Sequence, residues 1–180
     1  MRRLRYSVAV SLDGFIARPD GAYDWIIMDP AIDFAALFDA FDTLVMGRRT
    51  FDVTRTQGAD GPASNMRVVV CSRTLRPSDY PDVTIIGDDV PAAILALKKQ
   101  PGKDIWLFGG GELCRSLLDA GLVDTIELAV MPVLLSEGIP VLPPGQSLTL
   151  RLTASRTLPS GILMLSYAVP NPAAEGDSRS

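Results

Sequence analysis

Ile105-Trp106-Leu107-Phe108-Gly109-Gly110-Gly111-Glu112-Leu113 is a short apolar run that stops on three glycines and restarts as a helix. Four apolar residues bounded by turn formers read as a buried strand, Ile105 to Phe108. Glu112 to Ala120 then places Leu113, Leu117 and Leu118 on one helical face, and Gly121 ends the helix. A strand that turns through glycine straight into a helix is the unit from which parallel sheets are built.

Upstream the same grammar repeats. Residues 4–11 alternate as a strand, and Asp13-Gly14 marks its end. Residues 12–30 carry Gly14, Pro19, Gly21 and Pro30 and read as a long loop. Ala31 to Phe41 spaces Phe34, Leu37, Phe38 and Phe41 as a helix, and Thr43 to Met46 is a strand closed by Gly47. Asp52 to Ser64 is polar, helical at its start and a loop at its end. Arg67 to Cys71 is a strand closed by Ser72-Arg73-Thr74, and Val83 to Ile86 is another, closed by Gly87-Asp88-Asp89. Asp89 or its neighbour can cap a helix over Pro91–Gln100, with proline in the first turn and Pro101-Gly102 as the stop.

Downstream the pattern changes. Thr125–Leu135, Ser147–Ser155 and Ile162–Val169 read as three strands with no helix between them, and Pro159-Ser160-Gly161 turns the last two. The expectation is one α/β domain over residues 1–169, a three-layer α/β/α sandwich. Its central sheet is mostly parallel, with antiparallel C-terminal edge strands. The Pro-, Ala-, Gly- and Ser-rich residues 170–180 are expected to be a disordered tail.

The chain has 180 residues, of which 47% are hydrophobic, enough for one core without cross-links. Its two cysteines, Cys71 and Cys114, lie in apolar runs and read as buried thiols. There is no histidine, which removes Ser-His-Asp hydrolysis, Cys-His proteolysis and histidine-based zinc sites; no metal is expected. A net charge of −4 disfavours a general nucleic-acid surface but leaves room for a local anion pocket. No run approaches the ~20 apolar residues of a membrane span, and Met1-Arg2-Arg3 leads directly into a strand, so a cytoplasmic protein is expected.

In a doubly wound sheet, ligands bind beyond the carboxyl ends of the strands. Three predicted strands end on groups suited to phosphate: Gly47-Arg48-Arg49-Thr50, Ser72-Arg73-Thr74 and Gly109-Gly110-Gly111. Glycine lets the backbone approach an anion, a helix start offers unpaired N–H groups, and arginine offers a planar fork. Each alone has a bland reading, as a tight turn, a solvated helix start or a surface loop. Together on one edge they favour a dinucleotide with an extra phosphate, NADPH. No acidic residue is evidently placed to receive a ribose 2′-hydroxyl, as NADH would require.

Val8-Ala9-Val10-Ser11-Leu12-Asp13-Gly14-Phe15-Ile16-Ala17, Leu44-Val45-Met46-Gly47-Arg48-Arg49-Thr50-Phe51 and Phe108-Gly109-Gly110-Gly111-Glu112-Leu113 together resemble the dihydrofolate reductase superfamily. Asp124 to Leu135 and Gly138-Ile139-Pro140-Val141-Leu142-Pro143 resemble its branch built like the C-terminal reductase domain of the riboflavin deaminase-reductase. The likeness covers residues 4–169.

The resemblance implies that Ala9 and Ile16 flank a nicotinamide ring and that Asp13-Gly14 starts a covering loop. It implies cofactor contacts from Gly47, Arg48, Arg49, Thr50, Ser72, Arg73, Gly109, Gly110, Gly111, Glu112 and Leu113, with a cis Gly109–Gly110 bond. Substrate contacts would come from Trp25, Phe34 and Phe15. Asp33 would supply a proton, with Asp29 as the alternative and a plain helix-start charge as the other reading of Asp33. Phe15 and Phe108 stand where the riboflavin branch has lysine and glutamate, which implies a more apolar substrate.

The implied activity is NADPH-dependent reduction of a C=N or C=O bond in a small pterin-like or riboflavin-precursor heterocycle. The alternative is a catalytically silent NADP(H)-binding module. The apolar 126–142 stretch and the antiparallel edge suit a homodimer.

Overall fold

The computed structural model describes residues 1–56 and 65–170. Residues 171–180 of the tail expected over 170–180, and residues 57–64 of the Asp52–Ser64 segment expected to end as a loop, lie outside the described residues. Eight strands form the central sheet in the order β5 (Thr84–Ile86), β4 (Arg67–Cys71), β3 (Phe41–Gly47), β6 (Asp104–Gly109), β1 (Leu4–Ser11), β7 (Thr125–Met131), β10 (Leu163–Ala168) and β9 (Arg151–Thr157). Every pairing from β5 to β7 is parallel, and β7–β10 and β10–β9 are antiparallel. The expected mostly parallel sheet with an antiparallel C-terminal edge is therefore present.

Successive residues of a strand face opposite sides of the sheet, and the two sides are filled separately. Val45, Val69, Ile105 and Leu107 pack with Ile94 and Leu97 of α3 (Val90–Lys99) and with Cys114 and Leu117 of α4 (Gly111–Asp119). Leu44, Met46, Val70 and Trp106 pack on the other side. Their partners are Phe51 of α2 (Arg48–Thr56) and Leu37 and Phe38 of α1 (Phe34–Asp39). That alternation produces the three layers. Leu107 is fully buried, and its truncation to alanine would cost about 2–5 kcal/mol.

Several elements depart from the sequence reading for identifiable reasons. The first helix spans only six residues, not Ala31–Phe41. Phe41 is needed in β3, where it is buried and stacks on Trp106 with ring centroids 5.1 Å apart. α2 begins at Arg48, directly after β3. β7 stops at Met131 because Pro132 has no N–H for the ladder. The loop over residues 12–30 holds a short strand, β2 (Phe15–Ala17), paired with β8 (Ile139–Pro140). Gly138, at φ +157, leaves no room for a Cβ against the Ala17 carbonyl and the Phe15 ring, so this pairing depends on glycine.

The last expected strand pair is displaced in its first member, which runs over Arg151–Thr157 rather than Ser147–Ser155. All seven residues of β9 are exposed, leaving an open sheet edge. Among the described residues no helix is long and apolar enough to cross a membrane.

Candidate active site

After β5 the chain crosses back and inserts β6 between β3 and β1. The carboxyl ends of β3, β4, β5 and β6 therefore share one edge beside a reversal in strand order, where ligand crevices form. Gly47 lies opposite Cys71, and Met46 lies opposite Gly109. The three segments singled out in the sequence converge there.

Side-chain contacts join them. Arg48 Nη1 donates to Thr74 Oγ1 at 2.6 Å, and its Nε lies 3.4 Å from Asp52 Oδ2. Thr50 lies against the glycines, so that a Cβ on Gly109 would stand 3.2 Å from Thr50 Oγ1. Arg49 and Glu112, both highly exposed, approach to 4.0 Å across the starts of α2 and α4.

Ser72 is buried and accepts from the backbone N–H groups of Thr74 (3.3 Å) and Leu75 (3.2 Å). Its hydroxyl thus shapes the turn that presents Arg73. Among the described residues the exposed Arg73 side chain makes no hydrogen bond or ion pair. α4 starts at an N-cap glycine, Gly110, with no side-chain acceptor, so its first N–H groups are open to an anion.

Between these ends lies a groove of ≈ 440 Å³. It is lined by Cys71, Ser72 and Arg73 after β4, by Gly87, Asp88 and Asp89 after β5, and by Glu112 and Leu113 of α4. Asp89 caps α3, its Oδ1 accepting from Ala92 N at 3.3 Å, with its own backbone left-handed at φ 41°. Asp88 is exposed and, among the described residues, unpaired. The expectation that no acidic residue is placed to receive a ribose 2′-hydroxyl is therefore corrected to this extent: Asp88 lines the same groove as Ser72 and Arg73. In the sequence Gly87-Asp88-Asp89 has only the look of a strand-ending turn, and parallel pairing of β4 with β5 carries that turn alongside Ser72 and Arg73.

Gly111 has a second reason to be glycine. A Cβ there would stand 2.9 Å from the Val141 carbonyl oxygen and 3.2 Å from that of Pro140, so the 140–143 segment packs directly on the start of α4. The implied cis bond is also corrected: every described peptide bond is trans, Gly109–Gly110 included. Trans is the ground state of a non-proline bond by about 3–4 kcal/mol.

Around the end of β1, Ala9 packs against the cluster formed by Trp25, Met131, Leu158 and Ile162. Trp25 is 8% exposed, and its Nε1 is buried without an acceptor. Ile16 and Phe15 sit on β2, half-buried, where Phe15 N donates to Ser11 Oγ at 2.9 Å. Asp13 holds this loop to the one after β7, accepting from Leu135 N at 3.1 Å and Ser136 N at 2.7 Å. Phe34 packs at a tilt on Phe38, and Phe108 meets Trp106 edge-on at 5.2 Å.

Asp33 is exposed and is the N-cap of α1, its Oδ1 accepting from Ala36 N at 2.9 Å. Asp29 is buried and accepts from Ala31 N at 2.7 Å and Ser160 N at 3.1 Å. Ser160, and then the Ala31 N–H, hold its carboxyl below the usual carboxylate range, which suits an anchor better than a proton donor at neutral pH.

Comparison with known proteins agrees with this architecture. The profile of the RibD C-terminal domain family matches residues 2–164. The uncharacterized protein YyaP of Bacillus subtilis is 35% identical over 178 residues, covering 92% of this chain and 94% of that protein. A solved structure from Shewanella sp. PV-4, carrying a provisional riboflavin-biosynthesis name, superposes with a TM-score of 0.80 at 28% identity over 94% of this chain and 99% of that one. Dihydrofolate reductase of Enterococcus faecalis, solved with NADP(H), superposes with a TM-score of 0.67 at 19% identity, covering 93% and 96% of the two chains. The fold is thus dihydrofolate reductase-like.

Proposed function

Since the chain belongs to the RibD C-terminal domain family, we propose that it is an NADPH-dependent reductase acting on a C=N or C=O bond of a small heterocycle. The pterin-like and riboflavin-precursor pyrimidine classes are the proposed substrates. One observation carries this reading: Arg73 and the first turn of the uncapped, glycine-led α4 line one groove, and Arg48 is bonded to Thr74 next to Arg73. Cations and open N–H groups at that density suit a molecule with several phosphates, and the NADP(H) complex of the Enterococcus faecalis enzyme shares the fold.

NADPH, when bound, supplies the hydride. The chain's own part is to bind and orient. Arg48, Arg49, Thr50 and the α4 N-terminus would hold the phosphates, and Ser72 would set the turn that aims Arg73 at the ribose end. Ala9, Ile16 and Gly109 would border the ring. Phe15, Phe34 and Phe108 would enclose an apolar substrate and exclude water, and Trp25 Nε1 offers an unused donor. Asp33, or water beside it, would supply the proton.

Capping of α1 by Asp33 favours a second reading, a nucleotide-binding module without turnover. Fluorescence titration with NADPH tests the binding half, and absence of binding rejects both readings. Turnover of a pterin, folate or flavin-precursor panel supports the enzyme, and tight binding with none supports the silent module. We also propose that a second copy pairs at the open β9 edge; a monomer by light scattering rejects that.

A further inference from the structure

We propose that Asp88 is a specificity-determining residue that counters Arg73 within the same groove and keeps the preference for a 2′-phosphate modest. The inference rests on the nucleotide-binding reading above and concerns what that site discriminates.

Arg73 and Asp88 line the same ≈ 440 Å³ space from two adjoining turns. Their turns are in contact: Ser72 N donates to Ile86 O at 2.9 Å, and a Cβ on Gly87 would stand 3.7 Å from Ser72 O. Both side chains are exposed, and neither has a partner among the described residues. They form no ion pair with each other, so each is free to meet a ligand. Asp89 is committed to capping α3, which leaves Asp88 as the free acid of that turn.

A carboxylate accepts hydrogen bonds from ribose hydroxyls, and it repels a phosphate at the same place. Arg73 does the reverse. The two side chains together read the 2′ position with opposite signs, and their difference sets the cofactor ratio.

The experiment measures NADPH, NADH and adenosine 2′,5′-bisphosphate binding to the full chain by fluorescence and calorimetry. Asp88→Asn and Arg73→Ala are compared with Asp82→Asn, which removes an exposed charge before the other end of β5. Asp88→Asn should tighten NADPH and the bisphosphate about three- to tenfold at low salt, with NADH unchanged or weaker, and the gain should shrink at high salt. Arg73→Ala should move the NADPH/NADH ratio the other way, and Asp82→Asn should leave it in place. A ratio for Asp88→Asn within about twofold of the parent overturns the inference while leaving nucleotide binding intact. If the parent chain binds none of the three probes, the nucleotide-binding reading itself falls and takes the inference with it.

Discussion

Arg48 donates to Thr74 at 2.6 Å and thereby ties the start of α2 to the turn after β4. The hydroxyl fixes one N–H of the guanidinium and Asp52 faces its Nε at 3.4 Å, which leaves the other Nη donors for a ligand. Removing the cation and removing its brace should differ in size. Arg48→Ala is expected to weaken NADPH binding about 10- to 50-fold, the loss of one charge-assisted phosphate contact. Thr74→Val keeps the charge and should cost about two- to fivefold. Titration of both variants checks this; equal losses would mean that Arg48 acts only through the turn.

The double character of Asp33 is separable by substitution. Its carboxylate caps α1, so Asp33→Ala should lower stability by about 1 kcal/mol. Asp33→Ser retains a capping oxygen and should restore most of that. If Asp33 also supplies a proton, the serine variant remains as stable as the parent while its turnover collapses at every pH. Denaturant melts beside steady-state rates distinguish the roles.

Strands β3, β4, β5 and β6 are legible in the sequence because each is a short apolar run closed by Gly or Ser, and β4 spans Arg67–Cys71 as the pattern implies. The phosphate-suited ends are legible for the same reason, since parallel strands send their carboxyl ends to one edge. What escapes the sequence depends on proximity between distant loops. Asp88 comes to line the same groove as Arg73 only through β4–β5 pairing, and Asp13 reaches Leu135 and Ser136 only because β1 and β7 run side by side. α1 is shorter than its spacing predicts because Phe41 continues a helical period, yet its ring stacks on Trp106 from within β3. Gly111 is legible as a turn former, but its close approach to the Val141 carbonyl has no local signature.

That approach yields a stability prediction. In Gly111→Ala the new methyl meets backbone oxygens rather than a flexible side chain, so the 140–143 segment must move. The expected loss is about 1–3 kcal/mol, as for other overpacked sites. Gly47→Ala is the control, because nothing lies within 4 Å of the position its new Cβ would take. Chemical denaturation should separate the two; equal midpoints would show that the segment yields freely.

Asp13 gives a pH dependence. Ser11, whose hydroxyl donates at 2.6 Å, and then the Leu135 and Ser136 N–H groups hold its carboxyl below the usual carboxylate range. A depressed folded value stabilises the fold above the ordinary aspartate value near 3.9, and that contribution is lost as pH falls through the depressed value. Thermal melts of the parent and Asp13→Asn should therefore differ most at neutral pH and converge in acid. A gap that widens on acidification would contradict the bonding at Asp13.

Cys71 offers a direct report on groove occupancy. It lines the groove, and burial pushes its thiol up to about 11. At pH 8 such a thiol is almost wholly protonated, whereas an ordinary cysteine is partly thiolate, the reactive form. Alkylation by iodoacetamide should therefore be on the order of a hundredfold slower than for a free thiol and rise with pH. Cys114 is fully buried within the core, with its thiol raised to about 12, and should react only on unfolding. Saturating NADPH should slow Cys71 further, because a nucleotide in the groove lies over the end of β4. Mass spectrometry of the two sites follows both rates, and Cys71 labelling that NADPH leaves unchanged would place the nucleotide elsewhere.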